Sequence, residues 1–213
     1  MNLEAELRRR LAELQDQGVY RVLREVGSAQ GPRLKLEGRT VLNFGSNDYL
    51  GLASEPLVRE AAAEAAREWG AGSGASRLVC GGLEPHARLE RALAEFKGTE
   101  AALSFSSGYA TAVGTLGALL GKDDVVILDK RVHACMVDGA RLSGAKLRVY
   151  AHNDLADLER ILKWALGLRK GRTRTDAPAP GILIVTESVF SMDGDTAPLG
   201  EIVALKEAYG AWL

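Results

Sequence analysis

Cysteine, net charge and long apolar runs are all scarce in this sequence, and each scarcity excludes a class of protein. The 213 residues include only two cysteines, Cys80 and Cys135, which cannot form a disulfide framework and lie in no metal-binding spacing. Lys plus Arg is 27 and Asp plus Glu is 28, which gives a net charge of −1 and no basic excess for nucleic acid or membranes. No uncharged apolar run approaches the roughly 18 residues of a membrane span, and residues 1–14 form a charged helical pattern rather than a signal peptide. The sequence therefore predicts a soluble, cytoplasmic protein with no nucleic-acid and no membrane partner.

Glycine, in contrast, is abundant, with 24 residues that cluster at apparent turns. The segment from Gly70 to Gly82 holds five of them, which predicts an irregular loop whose backbone adopts positive φ or approaches another group closely. The sequence closes on an apolar run at residues 211–213, whereas natural termini usually lie in polar, frayed segments. We therefore expect the chain to be a fragment of a longer polypeptide.

The apolar spacing divides the chain into a short N-terminal segment and a longer region in which strands and helices alternate. Residues 2–17 predict an amphipathic helix and residues 33–41 a hairpin, so we assign residues 1–45 to an N-terminal helix and hairpin segment and residues 46–213 to one large domain. In the chain beyond the hairpin we expect strands at residues 101–105, 125–128, 146–150, 182–186 and 211–213, and helices at residues 57–69, 84–97, 109–120, 134–143, 154–168 and 201–209. Such alternation predicts an α/β fold with a mainly parallel sheet and helices on both faces. It places functional residues beyond the carboxyl ends of the strands.

Residues 169–180 have the composition of a linker, because they contain four basic residues, two prolines and no apolar pattern. A charge run of this kind usually faces solvent. We therefore interpret the stretch as a solvated surface connection, with an anion-binding loop as the alternative.

Two strand ends of the predicted sheet are followed by residues that suit a phosphorylated planar cofactor. Ser107 and Gly108 directly precede a helix after the strand at residues 101–105. A helix N-terminus with a glycine binds phosphate, although the same pattern also forms an ordinary tight turn. His133 follows the strand at residues 125–128, where an imidazole can either cap a helix or stack on a heteroaromatic ring and exchange protons.

The loop after the strand at residues 182–186 is rich in hydroxyl and carboxylate groups. Its Asp193 and Asp195 lack the spacing and closing Glu of an EF-hand calcium loop, so a structural turn around Gly194 is the simpler interpretation of the local pattern. The chain contains no dinucleotide-binding fingerprint, no P-loop and no G-x-S-x-G nucleophile motif. Taken together, the three strand ends favour a phosphorylated planar cofactor over a dinucleotide.

Six motifs, in a fixed order along the chain, resemble those of one enzyme family. They are SNDYLG at residues 46–51, GSGASR at 72–77, SGY at 107–109, VHA at 132–134, AHND at 151–154 and TESVFSMDGD at 186–195. The set resembles the α-oxoamine synthases, which depend on pyridoxal 5′-phosphate (PLP) and have fold type I, the fold of aspartate aminotransferase. The resemblance runs from about residue 18 to residue 213, and it implies that residues 46–213 are part of the large PLP-binding domain of that fold.

The resemblance implies PLP as the cofactor and assigns it four residues. Gly108 and Tyr109 would bind the phosphate through their backbone, and His133 would stack on the pyridine ring. Ser191 would hydrogen-bond the phenolic oxygen of the ring. Cys135 lies where the family commonly has serine, and a small buried thiol can replace it.

The same resemblance implies small-molecule substrates, an amino acid and an acyl thioester, and a homodimer. Arg21 and Asn47 would bind the amino acid, with Asn47 reaching its carboxylate across the dimer interface, and His133 would act as a catalytic residue that positions it. The implied reaction is a decarboxylative condensation. Glu187 and the motif at residues 151–154 favour a long dicarboxylic acyl group, with acetyl as the alternative.

Two residues that this chemistry requires have no match within the 213 residues. The imine-forming lysine of the family and the Asp that pairs with the pyridine nitrogen lie further along the family's sequence, and none of Lys97, Lys130 and Lys206 matches the lysine motif. We therefore expect the isolated chain to be inactive. A non-catalytic binding domain of the same fold is the alternative, which the apolar end of the sequence disfavours.

Overall fold

The computed structural model describes residues 2–170 and 180–213 of the chain. The chain divides into two compact units, Met1–Leu83 and Glu84–Leu213. The predicted linker lies almost entirely outside the described residues, and the predicted domain boundary after residue 45 stays a prediction. Of the described helices, none is long and apolar enough to span a membrane.

The first unit contains helices, an antiparallel hairpin and a short 3₁₀ turn. Its elements are helix α1 (Leu3–Asp16), strands β1 (Arg33–Leu36) and β2 (Arg39–Leu42), the 3₁₀ turn (Leu52–Ser54), and helices α2 (Pro56–Trp69) and α3 (Arg77–Cys80). Glu37 and Gly38 join β1 to β2 with φ values of 49° and 79°, the left-handed pair that a tight two-residue hairpin requires. The predicted N-terminal helix, hairpin and helix at 57–69 are confirmed. The glycine-rich segment differs from its prediction in that α3 forms a short helix within it.

The second unit contains the alternating strands and helices. Its elements are helices α4 (Glu84–Lys97), α5 (Gly108–Leu119), α6 (Ala134–Leu142), α7 (Leu155–Lys170) and α8 (Leu199–Tyr209), and strands β3 (Val125–Asp129), β4 (Lys146–Tyr150) and β5 (Ile182–Val185). Within the described residues these strands form a parallel sheet in the order β4-β3-β5. Trp212 pairs alongside β5, because its amide donates to the Ile182 carbonyl and its carbonyl accepts from the Ile184 amide, both at 2.8 Å. The parallel sheet is therefore confirmed, including the strand start near residue 211.

Alternate residues of β3 face two separate parts of the core. Val125 and Ile127 pack with side chains of α7 and α8, whereas Val126 and Leu128 pack with side chains of α5 and α6. All four are fully buried, as expected of a parallel strand with helices on both faces. The predicted α/β architecture, a parallel sheet between two helix layers, is confirmed.

The strand predicted at residues 101–105 is wrong. These residues pair with no strand in the part of the chain that the structure describes. The Ser104 amide donates instead to Glu90 Oε1 of α4 at 2.9 Å, and the Ser104 hydroxyl donates to the same oxygen at 2.8 Å. An apolar run becomes a strand only where a neighbouring strand completes its backbone hydrogen bonds, and here a helix side chain satisfies the Ser104 amide.

Candidate cofactor site

The N-terminus of α5 offers two backbone N–H groups to a ligand. The Ser107 hydroxyl caps the helix by accepting from the Ala110 amide at 3.1 Å, and the Ser107 carbonyl accepts from the Thr111 amide at 3.0 Å. Among the described residues nothing accepts from the amides of Gly108 and Tyr109, and a Cβ added to Gly108 would meet nothing within 4 Å. Two free N–H groups at the positive end of a helix dipole fit the phosphate of PLP.

Helices α5 and α6 pack closely because α6 has a glycine at their contact. A Cβ on Gly139 would lie 2.9 Å from the Ala112 carbonyl oxygen and 2.9 Å from Leu116 Cδ1, so a larger residue would force the helices apart. The Tyr109 hydroxyl donates to Asp138 Oδ2 at 3.4 Å, which joins the first turn of α5 to α6. Helix α6 is therefore held on the same helix that presents the two free amides.

His133 is the N-cap residue of α6. Its Nδ1 accepts from the Cys135 amide at 3.2 Å and lies 3.0 Å from Cys135 Sγ, and the His133 amide donates to the Glu187 carboxylate. Because Nδ1 acts as an acceptor, we assign the proton of the neutral ring to Nε2. The capping role that the sequence left open is confirmed, and an exposed ring anchored at one edge can still stack on a pyridine.

Ser191 lies in the loop of residues 187–196, which follows β5. The preceding Phe190 is 1% exposed and packs in the core. The Phe190 amide donates to the Asp195 carbonyl at 2.9 Å, and the Gly194 amide donates to the Phe190 carbonyl at 2.7 Å. Gly194 has a φ of 73°, in the left-handed region that favours glycine. The predicted structural turn is therefore confirmed, and it leaves Ser191 exposed next to a buried anchor.

A buried carboxylate network at the carboxyl end of β3 was not predicted. Asp129 is 1% exposed, and its two carboxylate oxygens accept from the amides of Arg131 at 2.8 Å and Asn153 at 2.9 Å. The imidazole of His152 lies between Asp129 and Asp195. Its Nδ1 is 2.8 Å from Asp129 Oδ1, and its Nε2 is 2.6 Å from Asp195 Oδ2.

The sequence does contain a pattern that could have revealed this network. Asp129 is the last residue of β3 and pairs in parallel with Tyr150, the last residue of β4. Residues just beyond Tyr150 must therefore lie near Asp129. The motifs alone do not reveal the pair, because Asp129 belongs to none of the six motifs and His152 is one residue of the motif at residues 151–154.

The network shifts the pKa of its members. Two hydrogen bonds raise the pKa of His152: the bond to Asp129 has the larger effect and the bond to Asp195 the smaller. The bond from His152 lowers the pKa of Asp195. Tyr150 is fully buried, and its burial raises the pKa of the phenol to about 12. These directions favour a protonated imidazole beside an ionised Asp195 and a neutral Tyr150 phenol.

The two residues predicted to bind the amino acid lie in the first unit. Arg21 is exposed in the segment after α1, and Asn47 is exposed in the turn before the 3₁₀ turn. Asn47 Oδ1 accepts from the Tyr49 hydroxyl at 3.4 Å. The predicted cofactor residues all lie in the second unit, at the N-termini of α5 and α6 and in the loop of residues 187–196. The ligands of all these residues stay predictions.

The parallel sheet between two helix layers is an α/β architecture, and the match to solved structures identifies it as the PLP-dependent fold type I. A solved serine palmitoyltransferase from S. paucimobilis with bound PLP matches the chain with a TM-score of 0.82 and 32% sequence identity, over 99% of this chain and 52% of that one. The family model for aminotransferase class I and II matches residues 39–213. The chain belongs to the aminotransferase class I and II family.

Two of the similar curated relatives carry the same enzyme name. An 8-amino-7-oxononanoate synthase from Geobacter sulfurreducens is 52% identical over 203 residues, which cover 95% of this chain and 49% of that protein. A synthase of the same name from Exiguobacterium sibiricum is 49% identical over 205 residues, which cover 96% of this chain and 50% of that protein. The chain thus spans about half the length of these relatives.

Proposed function

We propose that this chain forms the cofactor-binding part of a PLP-dependent 8-amino-7-oxononanoate synthase, an acyltransferase of biotin biosynthesis. In the proposed reaction, the acyl group of pimeloyl-CoA or pimeloyl-carrier protein forms a C–C bond with L-alanine, and the free thiol of CoA or the carrier protein and CO₂ are released. The sequence identity to synthases of this name supports the choice of reaction. The structural observation that carries the proposal is the N-terminus of α5, where the amides of Gly108 and Tyr109 have no acceptor among the described residues.

The residues of the second unit fit the parts of PLP one by one. The amides of Gly108 and Tyr109 bind the phosphate, because they are free and lie at the positive end of α5. His133 stacks on the pyridine ring and, with its proton on Nε2, presents a donor to the amino acid. The Ser191 hydroxyl donates to the phenolic oxygen. When bound, PLP supplies the electron sink that stabilises a carbanion on the amino acid.

The substrates and the partner follow from the first unit and from the family. Arg21 and Asn47 bind the amino acid, and Asn47 does so across the interface of a homodimer. The acyl thioester is the second small-molecule substrate. We assign the covalent attachment of PLP to no lysine of these 213 residues, so the isolated chain binds the cofactor without catalysing the reaction.

The cofactor site can be tested in the isolated chain with pyridoxine 5′-phosphate, which has the ring and the phosphate but no aldehyde to react with a lysine. In an NMR titration we expect the amide resonances of Gly108 and Tyr109 to shift, and pyridoxine without the phosphate to leave them in place. Gly108→Pro removes one N–H at a helix position that accepts proline, and the loss of a charge-assisted hydrogen bond should weaken binding by about tenfold or more. Gly117→Ala, further along α5 with nothing within 4 Å of the added Cβ, is the control. Equal shifts with both ligands would contradict the proposal.

The reaction itself is tested with the complete protein. It is offered L-alanine with pimeloyl-CoA and, in a separate assay, glycine with acetyl-CoA, and product formation is measured in each. We expect a marked preference for the first pair. Preference for the second pair would assign a glycine C-acetyltransferase instead, and turnover of neither pair would favour a non-catalytic binding domain.

A further inference from the structure

His152 contacts one carboxylate oxygen with each of its two ring nitrogens. Nδ1 is 2.8 Å from Asp129 and Nε2 is 2.6 Å from Asp195. An ionised carboxylate only accepts hydrogen bonds, and a neutral imidazole has a single N–H to donate. Both oxygens of Asp129 already accept from backbone amides, as an ionised carboxylate does. Hydrogen bonds from the ring to two such carboxylates need a proton on both nitrogens, which makes the ring an imidazolium cation.

The two carboxylates belong to parts of the fold that differ in burial. Asp129 ends the buried strand β3 and is itself fixed by amides at both of its oxygens. Asp195 lies in the loop of residues 187–196, and its side chain is 41% exposed. The neighbouring Asn153 also donates to this loop, to Asp195 Oδ2 at 3.3 Å and to the Thr196 carbonyl at 3.1 Å. The loop is thus tied to the sheet at the point where β4 ends.

We propose that His152, as an imidazolium cation, is a positioning residue that holds the loop of residues 187–196, and with it Ser191, against the carboxyl end of the sheet. The consequence for Ser191 rests on the proposed function, since Ser191 matters there as the donor to the phenolic oxygen of PLP. The attachment of the loop by His152 does not depend on any ligand.

The other groups around the ring are consistent with this charge state. On β3 the ring contacts Asp129, and in the loop it contacts Asp195. It also makes a T-shaped contact with the Phe190 ring, at a centroid distance of 4.5 Å and an interplanar angle of 88°. Tyr150 of β4 is buried near Asp129 and stays neutral. The cation Arg131 pairs with Asp193 at 2.7 Å and so also holds the loop. One imidazolium between two carboxylates therefore leaves no excess positive charge at this point.

The direction of the pH dependence follows from the same contacts. Hydrogen bonds to Asp129 and Asp195 raise the pKa of His152 above its usual value of about 6.5. The contribution of the folded-state cation is therefore complete below about pH 6.5 and is lost as the pH rises through the raised pKa. The loop should be held at neutral pH and loosen on the alkaline side.

The charge of His152 can be measured by NMR in the chain of 213 residues without any ligand. The ring nitrogens of His86, His133 and His152 are the three histidine signals to assign. We expect both nitrogens of His152 to be protonated at pH 7, with a titration midpoint above 6.5. A singly protonated ring at pH 7 would overturn the proposal, whether or not the chain binds pyridoxine 5′-phosphate. The charge of His152 therefore tests the loop attachment, and the binding of pyridoxine 5′-phosphate separately tests the cofactor site.

The hold on the loop is measured by hydrogen exchange at the amides of Phe190 and Gly194, which are hydrogen-bonded within it. We expect Asp195→Asn to lower the titration midpoint of His152. We also expect it to lower the protection factors of both amides by about tenfold, equivalent to about 1.4 kcal/mol. Asp193→Asn is the control for the titration: it breaks the pair with Arg131, which also holds the loop, but should leave the His152 midpoint in place. If Asp195→Asn unfolds the chain, the protection factors of the unsubstituted chain are followed with pH. Protection that does not fall as His152 titrates would overturn the proposal.

Discussion

His133 combines two roles that a substitution can separate. Its Nδ1 caps α6 by accepting from the Cys135 amide, and its ring is proposed to stack on the cofactor. Asn has a side-chain acceptor suited to the N-cap but no ring, whereas Ala has neither. We expect His133→Ala to lower the free energy of unfolding by about 1 kcal/mol and His133→Asn to leave it nearly unchanged, in urea titrations.

Both substitutions should weaken the binding of pyridoxine 5′-phosphate to a similar extent, because both remove the ring. An equal loss of stability in the two variants would mean that the cap contributes little to α6. Unchanged ligand binding in His133→Asn would contradict the stacking role while leaving the capping role intact.

At the residue scale, the sequence motifs identify candidate cofactor residues but not the contacts that hold those residues in place. Helix starts and the loop after a strand identify Gly108, His133 and Ser191 as candidates, since these features are local in sequence. The strand expected before Gly108 does not form among the described residues. The contact between His152 and Asp195 joins residues that are far apart in the sequence, and only the pairing of parallel strands brings them together. A local sequence pattern therefore cannot predict the contact between His152 and Asp195.

At the scale of elements, the contact between α5 and α6 depends on a single missing side chain. A methyl group on Gly139 would lie 2.9 Å from the backbone oxygen of Ala112, so Gly139→Ala must push the helices apart. We expect it to lower the free energy of unfolding by about 1–3 kcal/mol, the typical cost of overpacking. It should also weaken the binding of pyridoxine 5′-phosphate, since α6 carries His133 at its N-cap.

Gly117 supplies the control for this prediction. It lies in α5 with nothing within 4 Å of an added Cβ, so alanine there should raise stability by about 0.5–1 kcal/mol through the higher helix propensity of alanine. Urea unfolding of the two variants measures the difference. If Gly139→Ala were as stable as Gly117→Ala, the short distance between Gly139 and the Ala112 backbone would not determine the position of α6.

The elements themselves differ in how well the sequence predicts them. Helix α4 begins and ends where its apolar spacing predicts, at Glu84 and Lys97, because a helix satisfies its hydrogen bonds within its own segment. A strand needs a neighbouring strand to complete its backbone hydrogen bonds, so the apolar run at residues 101–105 does not by itself determine whether a strand forms. The Ser104 amide finds its acceptor in Glu90, a side chain that the pattern of residues 101–105 does not include.

At the scale of the whole molecule, the second unit contains every proposed contact to the cofactor, whereas Arg21 and Asn47 of the first unit are proposed to bind the substrate. The chain spans about half the length of its curated relatives. Cofactor binding by the second unit can therefore be measured separately from turnover, and the two experiments proposed above use this separation. Binding without turnover is the behaviour that we expect of the isolated chain.

The pH dependence of global stability should show the same ionic contacts acting together. Hydrogen bonds from the Ala151 amide and from Arg160 lower the pKa of Asp157, and His152 lowers the pKa of Asp195. The contributions of these carboxylates are present above their unfolded pKa of about 3.9 and are lost as the pH falls through their lowered folded values. The contribution of His152 is lost in the opposite direction, as the pH rises above about 6.5 through its raised pKa.

We therefore expect the free energy of unfolding, measured by urea titration at a series of pH values, to be highest between about pH 4 and 6.5. His152→Gln should abolish the decline that this histidine causes above pH 6.5, because glutamine does not titrate. His86→Gln is the matched control, since His86 lies on α4 and has no contact in the network of Asp129 and Asp195. An alkaline decline that is the same in His152→Gln and in the unsubstituted chain would show that another group causes it, whereas its selective loss would assign the decline to the imidazolium between the two carboxylates.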